Sequence, residues 1–164
     1  MQPSCTHCAF RSDRPFCDMT PEALRGFDEI KEQAVLGKGA LLFSEARPSR
    51  GVYILCEGRA KLSICAENGK KLMLRVAGPG EILGLGATLS GDNYEVTAEL
   101  LDTAQVVFVK RKDLLKFLRT NPSICMEVVR RLSEDLHGAY ERVRSIGLSR
   151  ARRGNIQRAR PIAS

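Results

Sequence analysis

PGEILGLGATLSGDNYEVTAEL, residues 79–100, decides how the rest of the chain is read. It opens on Pro-Gly-Glu, runs through Gly84 and Gly86, breaks at Ser90-Gly91-Asp92-Asn93 and re-enters an alternating strand at Tyr94. Glycine at this density lets the backbone adopt positive φ and come close to a ligand or another segment. Strands lead into the stretch, a strand leaves it and a long helix follows, which is the layout of a small sensing domain.

Working upstream, Asn68-Gly69 is the strongest hairpin signal. Its arms are Lys61–Ala66, with Leu62, Ile64 and Ala66 on one face and Lys61, Ser63 and Cys65 on the other, and Lys71–Val76, with Leu72, Leu74 and Val76 expected inward. Gly51–Cys56 (GVYILC) is apolar on both faces and reads as a central strand. Ala40–Phe43 is a short strand followed by a turn at Glu45–Arg50, and the period of two begins at Val35. Thr20-Pro21-Glu22 reads as a helix start, a capping hydroxyl followed by proline at the first helical position, for a helix reaching Ile30. Downstream, Tyr94–Leu100 and Gln105–Val109 complete a set of short strands at the spacing of an antiparallel barrel or roll.

Helices close the chain. Lys112–Arg119 is brief, and Asn121-Pro122 starts a helix expected to reach about Ile146. On it Cys125, Val129, Leu132, Leu136, Ala139, Val143 and Ile146 recur every 3.5 residues, the seam of a coiled coil with a second copy. The plainer alternative is a helix packed only on its own roll, since Val128 and Tyr140 widen the stripe. The expected class is α+β: an antiparallel β-roll flanked by short helices, then a long C-terminal dimerisation helix. The divisions are a Cys-rich segment (1–19), the roll (20–120), the dimer helix (121–148) and a basic disordered tail (149–164).

Within the 164 residues no apolar run approaches the roughly 18 needed to span a bilayer. MQPSCTHC lacks the features of a signal peptide, so the cytoplasm is the expected compartment. The net charge of +7 is carried entirely by seven arginines at 142, 144, 150, 152, 153, 158 and 160, leaving the body neutral. Such a tail would touch nucleic acid weakly and with little base discrimination.

Six cysteines without an export signal point to metal ligation or redox chemistry rather than structural disulfides. Cys5-x2-Cys8-x8-Cys17 sets two sulfurs on one turn and a third after a short loop, a partial ligand set for a metal or an iron–sulfur cluster. His7, Cys56, Cys65 or Cys125 is the candidate fourth ligand; thiol redox sensing and the absence of any sensing role are the competing readings. Catalysis finds no support. His7 and His137 have no nucleophile arranged with them, and neither a dinucleotide fingerprint nor a phosphate-binding P-loop occurs.

Residues 51–84 (GVYILCEGRAKLSICAENGKKLMLRVAGPGEILG), YEVTAE (94–99), KRKDLLKFL (110–118) and the long helix together resemble the sensor half of the CRP/FNR family of bacterial transcription regulators. The resemblance implies a cyclic-nucleotide-binding-type roll and a homodimer through the long helix. It also implies a C-terminal helix-turn-helix, for which the roughly 16 residues after the helix are too few; the chain reads as truncated, frameshifted or a sensor fragment that pairs with full-length regulators. By the same resemblance Gly80, Glu81, Ile82, Leu83, Gly84, Asp92 and Asn93 form the ligand cassette. Members that bind cyclic AMP place an arginine before the next strand. Here that place is Asp92-Asn93, and no Lys or Arg occurs from Glu81 to Thr103. A cyclic phosphate would lack its charge-assisted partner, so another small ligand or none is expected. The FNR branch also has N-terminal cysteines with a fourth in the strand that is Gln105–Val109 here, where Val107 stands instead.

Overall fold

The computed structural model describes residues 17–153 together with Cys5 and Cys8. The chain divides into two compact units, one ending at Val128 and the other beginning at Val129.

In the first unit α1 (Pro21–Ile30) starts as the sequence predicts. Thr20 Oγ1 accepts from the Ala23 amide at 3.2 Å, and proline follows at the first helical position. Ala23, Leu24 and Phe27 form its buried face. The helix stops where Lys31 turns extended while its amide still reaches the Phe27 carbonyl. The chain then builds β1 (Lys31–Leu36), β2 (Leu41–Phe43), β3 (Gly51–Glu57), β4 (Ala60–Cys65), β5 (Lys71–Ala77) and β6 (Ile82–Leu83). A short α2 (Leu85–Ser90) precedes β7 (Thr97–Leu100) and β8 (Ala104–Lys110), and α3 (Arg111–Thr120) leads into α4 (Pro122–Arg153).

The strands form two four-stranded antiparallel sheets, ordered β1-β8-β3-β6 and β2-β7-β4-β5. Leu42, Phe43, Leu55, Leu62, Leu83, Leu100 and Val106, drawn from both sheets, share one buried core with Tyr94. Truncating a fully enclosed leucine such as Leu55 or Leu100 to alanine removes about 2–5 kcal/mol. The Phe27 and Phe117 rings, 5.7 Å apart, join α1 to α3. The expected α+β roll is therefore present, with β3 interior between β8 and β6 as its two apolar faces require.

Five local expectations are corrected. β1 begins at Lys31, before the expected change of period, because this edge strand carries polar residues that hide its alternation. Residues 85–90 are helical, a turn set off by left-handed glycines at both ends, Gly84 (φ 78°) and Gly91 (φ 79°). Tyr94 precedes β7 rather than opening it, and its ring stacks on Phe43 at 4.2 Å. On β5 the expected inward set fails: Leu72 and Val76 are exposed along with Met73. Val76 pairs with Lys61, on the face of β4 expected outward, and a bulge where the ladder jumps from Leu62↔Arg75 to Ser63↔Met73 ends simple alternation there. Ser63 is buried. Finally, α4 runs on to Arg153, so residues 149–153 of the expected tail are helix. The remainder of that tail, with Arg158 and Arg160, lies outside the described residues.

Candidate functional site

Three places carry the chemistry singled out in the sequence. The first is the cassette, several of whose polar groups are engaged internally. Gly80 (φ 87°) donates its amide to the Leu55 carbonyl at 2.7 Å, and the Leu55 amide donates to the Glu81 carbonyl at 3.0 Å. The Glu81 carboxylate accepts from the Gly78 amide at 2.5 Å and from Arg75 Nη1 at 2.9 Å. Ile82 and Leu83 are buried in β6 against β3. A Cβ on Gly84 would lie 2.9 Å from the Tyr94 ring, so glycine is required there both for its φ and for that approach. The Asp92 amide donates to the Ala87 carbonyl, and Asn93 bridges to Pro48.

Beneath the cassette, a network missed from the sequence ties it down. Tyr94 Oη and Thr88 Oγ1 both donate to the Gly51 carbonyl, at 2.7 and 2.9 Å, while Tyr94 Oη accepts from the Arg50 and Gly51 amides. Thr88 has no measurable exposure. From α3, Arg111 Nε donates to the Thr88 carbonyl at 2.8 Å. The cation absent from residues 81–103 therefore arrives from a separate element, 23 positions along the chain from its acceptor. Only the three-dimensional pairing of β3 with β8 carries Arg111 there, which is why no local signal announced it.

The second place is the N-terminal cysteine segment. The Cys8 amide donates to the Cys5 carbonyl at 3.3 Å, so the two lie on one turn as the spacing predicts. Lys31 Nζ donates to Cys5 Sγ at 3.2 Å and lies 2.9 Å from Asp28 Oδ1, which also accepts from the Cys5 amide at 3.0 Å. Burial pushes the Cys5 thiol above its ordinary value, and Lys31 only partly offsets this. Burial pulls Lys31 the other way, yet its hydrogen bonds to Asp28 and Cys5 hold its proton more firmly than usual. Among the described residues no three His, Cys, Asp or Glu side chains converge in a way that could hold a metal ion. His7 lies outside the described residues; Cys65 is exposed, as its alternation predicts, and Cys56 and Cys125 are half-buried.

The third place is α4. Ile124 and Val128, one turn apart, are buried in the first unit. Of the seam, Cys125, Leu132 and Ala139 are half-buried, whereas Val129, Leu136, Val143 and Ile146 are open to solvent, Leu136 at 53 % and Val143 at 67 %. Tyr140 is exposed beside them. No helix among the described residues is long and apolar enough to cross a membrane.

Comparison with known proteins places this geometry. The cyclic nucleotide-binding domain family matches residues 33–121. The transcriptional activatory protein AadR of Rhodopseudomonas palustris is 25% identical over 142 residues, covering 87% of this chain and 58% of that protein. The Thermus thermophilus catabolite activator protein superposes with a TM-score of 0.72 at 19% identity, over 81% of this chain and 62% of that one. The sensor domain of the transcriptional regulator DNR from Pseudomonas aeruginosa gives 0.69 at 21%, over 83% and 92%. The chain spans about half the length of most of the curated relatives it matches.

Proposed function

The chain belongs to the cyclic nucleotide-binding domain family, on the sensor-half plan of CRP/FNR regulators, and from that premise we propose that it is the dimeric sensor module of a bacterial transcription regulator. The single observation behind the dimer is the seam on α4. Four large apolar residues at heptad spacing stand exposed on one helix, a costly arrangement in water unless a second copy covers it. The input we assign to redox, oxygen or metal acting through Cys5, Cys8 and Cys17. Its support is the docking of Cys5 on the α1–β1 junction, where a change at sulfur would be felt by the roll.

In this reading the cassette is structural. The Gly80, Glu81 and Asp92 amides, the Glu81 carboxylate and Thr88 already have intramolecular partners, and of the cations that reach it Arg75 pairs with Glu81 while Arg111 binds a backbone carbonyl. A cyclic nucleotide would have to displace several of these contacts. The relatives are regulators, so the module acts by binding and conformational change rather than by catalysis. DNA recognition would be the work of the whole regulator, with the α4 arginines adding at most weak, salt-sensitive contacts to phosphates. The cytoplasm is the compartment such a regulator needs.

Light scattering tests the core of the proposal. The chain is expected to run as a dimer and Leu136→Glu as a monomer with an unchanged roll; a monomeric parent overturns it. Anaerobic purification with an absorption spectrum and metal analysis tests the input. A coloured, iron-containing protein supports the cluster form, and a colourless, metal-free one leaves thiol chemistry.

A further inference from the structure

Lys31 has a side chain only 4 % exposed, placed where α1 ends and β1 begins. Its ammonium group donates to Asp28 and to Cys5 Sγ, and Asp28 in turn takes the Cys5 amide. These contacts make a clasp that fastens a residue 26 positions upstream onto the first strand of the roll. The contact is made to the free Cys5 sulfur, a weak acceptor, and bonding that sulfur to a neighbouring cysteine would fix its direction instead. Its neighbour Cys8 is on the same turn through the 3.3 Å bond to the Cys5 carbonyl. A four-residue turn keeps its end α-carbons within about 7 Å, and disulfides bridge α-carbons about 4.4–6.8 Å apart.

We propose that Cys5 and Cys8 are a two-electron redox pair, oxidised to a disulfide by a hydroperoxide, and that forming the bridge takes Cys5 Sγ off Lys31 and opens the clasp. The inference rests on reading the N-terminal cysteines as the input of the sensor, and it names the form of that input. One sulfur attacks the peroxide O–O bond and keeps one oxygen as a sulfenic acid, while the other oxygen leaves, protonated, as an alcohol, or as water from hydrogen peroxide. The second sulfur then displaces the sulfenic oxygen as water. Two S–H bonds and one O–O bond are lost, one S–S bond forms, and the two electrons pass to the peroxide. Lys31 is a positioning residue here: it holds Cys5 in the reduced state and never meets the oxidant.

The experiment treats the full chain with stoichiometric hydrogen peroxide, alkylates the remaining thiols and maps the peptides by mass. A Cys5–Cys8 bridge is expected, with Cys65 and Cys125 alkylated. In parallel, an amine-acylating reagent reports on Lys31. Its labelling is expected to be minimal in the reduced protein and to rise several-fold on oxidation, with no rise in Cys8→Ala, which cannot form the bridge. Alkylated Cys5 and Cys8 after the peroxide is consumed, a bridge to Cys17 instead, or a bridge without increased Lys31 labelling each overturns the proposal. If any of these occurs while light scattering still finds a dimer, the sensor-module reading stands and only this form of input falls.

Discussion

The cassette and the seam of α4 handle their surfaces in opposite ways. Around Gly84 and Tyr94 the donors and acceptors named above are matched within the chain, and the Tyr94 ring stacks on Phe43. Along α4, large apolar side chains face water at regular spacing. A ligand entering the first region would have to break existing bonds, whereas a partner meeting the second would only remove apolar surface from water, worth about 25 cal/mol per Å². Polar groups named at the cassette are thus met within the chain, while along the helix large apolar side chains stand exposed.

The largest effect should come from Gly51→Ala. An added Cβ would collide with the Val109 carbonyl and with the Phe108 ring, displacing β3 from β8. A loss of at least about 3 kcal/mol is expected in chemical denaturation. If the variant is nearly as stable as the parent, the tightly closed picture of the cassette floor is wrong. Leu136→Glu comes next. It should weaken association by at least about tenfold, on the order of 1.4 kcal/mol, measured by sedimentation at several concentrations, with circular dichroism unchanged. Equal damage to roll and assembly would erase the distinction between the two regions.

Tyr94→Phe should remove about 1–3 kcal/mol, because the Arg50 and Gly51 amides lose their phenolic acceptor. Comparing it with Thr88→Val, which removes only one of the two donors to the Gly51 carbonyl, sharpens the ranking; the tyrosine change should cost more. The smallest effect concerns pH. Unfolded, the Cys5 thiol titrates near 9.0, and folded it titrates higher. The unfolded chain therefore sheds this proton first, and stability drops as pH rises from about 9 towards the folded value. Lys31, also raised, adds a loss of the same sign at higher pH. The thermal midpoint of the parent should fall faster above pH 9 than that of Cys5→Ser, and parallel curves would remove the clasp from the stability of the fold.

What could be read from the chain follows from the range of each interaction. The N-cap at Thr20, the hairpin turn at Asn68-Gly69 and the start of α4 after Asn121-Pro122 are local, and all three were legible. So was the central place of β3, since a run apolar on both faces belongs to a strand covered on both sides, as interior strands are. Arg111 on Thr88, Tyr94 under Gly51 and Lys31 on Cys5 join positions 23, 43 and 26 residues apart, and nothing in their neighbours announces them. The register of β5 on β4, with Val76 opposite Lys61 and a bulge between Leu62 and Ser63, is a property of the paired strands, and alternation within β5 alone does not carry it. The helix at 85–90 is six residues between glycines, too short for its period to register.

That bulge has a further consequence. β5 ends its sheet, so among the described residues its outer backbone groups have no neighbouring strand, and Leu72 and Met73 beside them are exposed. A straight, greasy margin of this kind would invite other molecules to stack onto it and grow into fibrils. The kink in the ladder twists that margin, and Lys70 and Lys71 set positive charge along it. Concentrated solutions of the protein should consequently stay clear and fail to seed thioflavin-positive aggregates, a protection that exchanging Lys70 and Lys71 for valine would strip away.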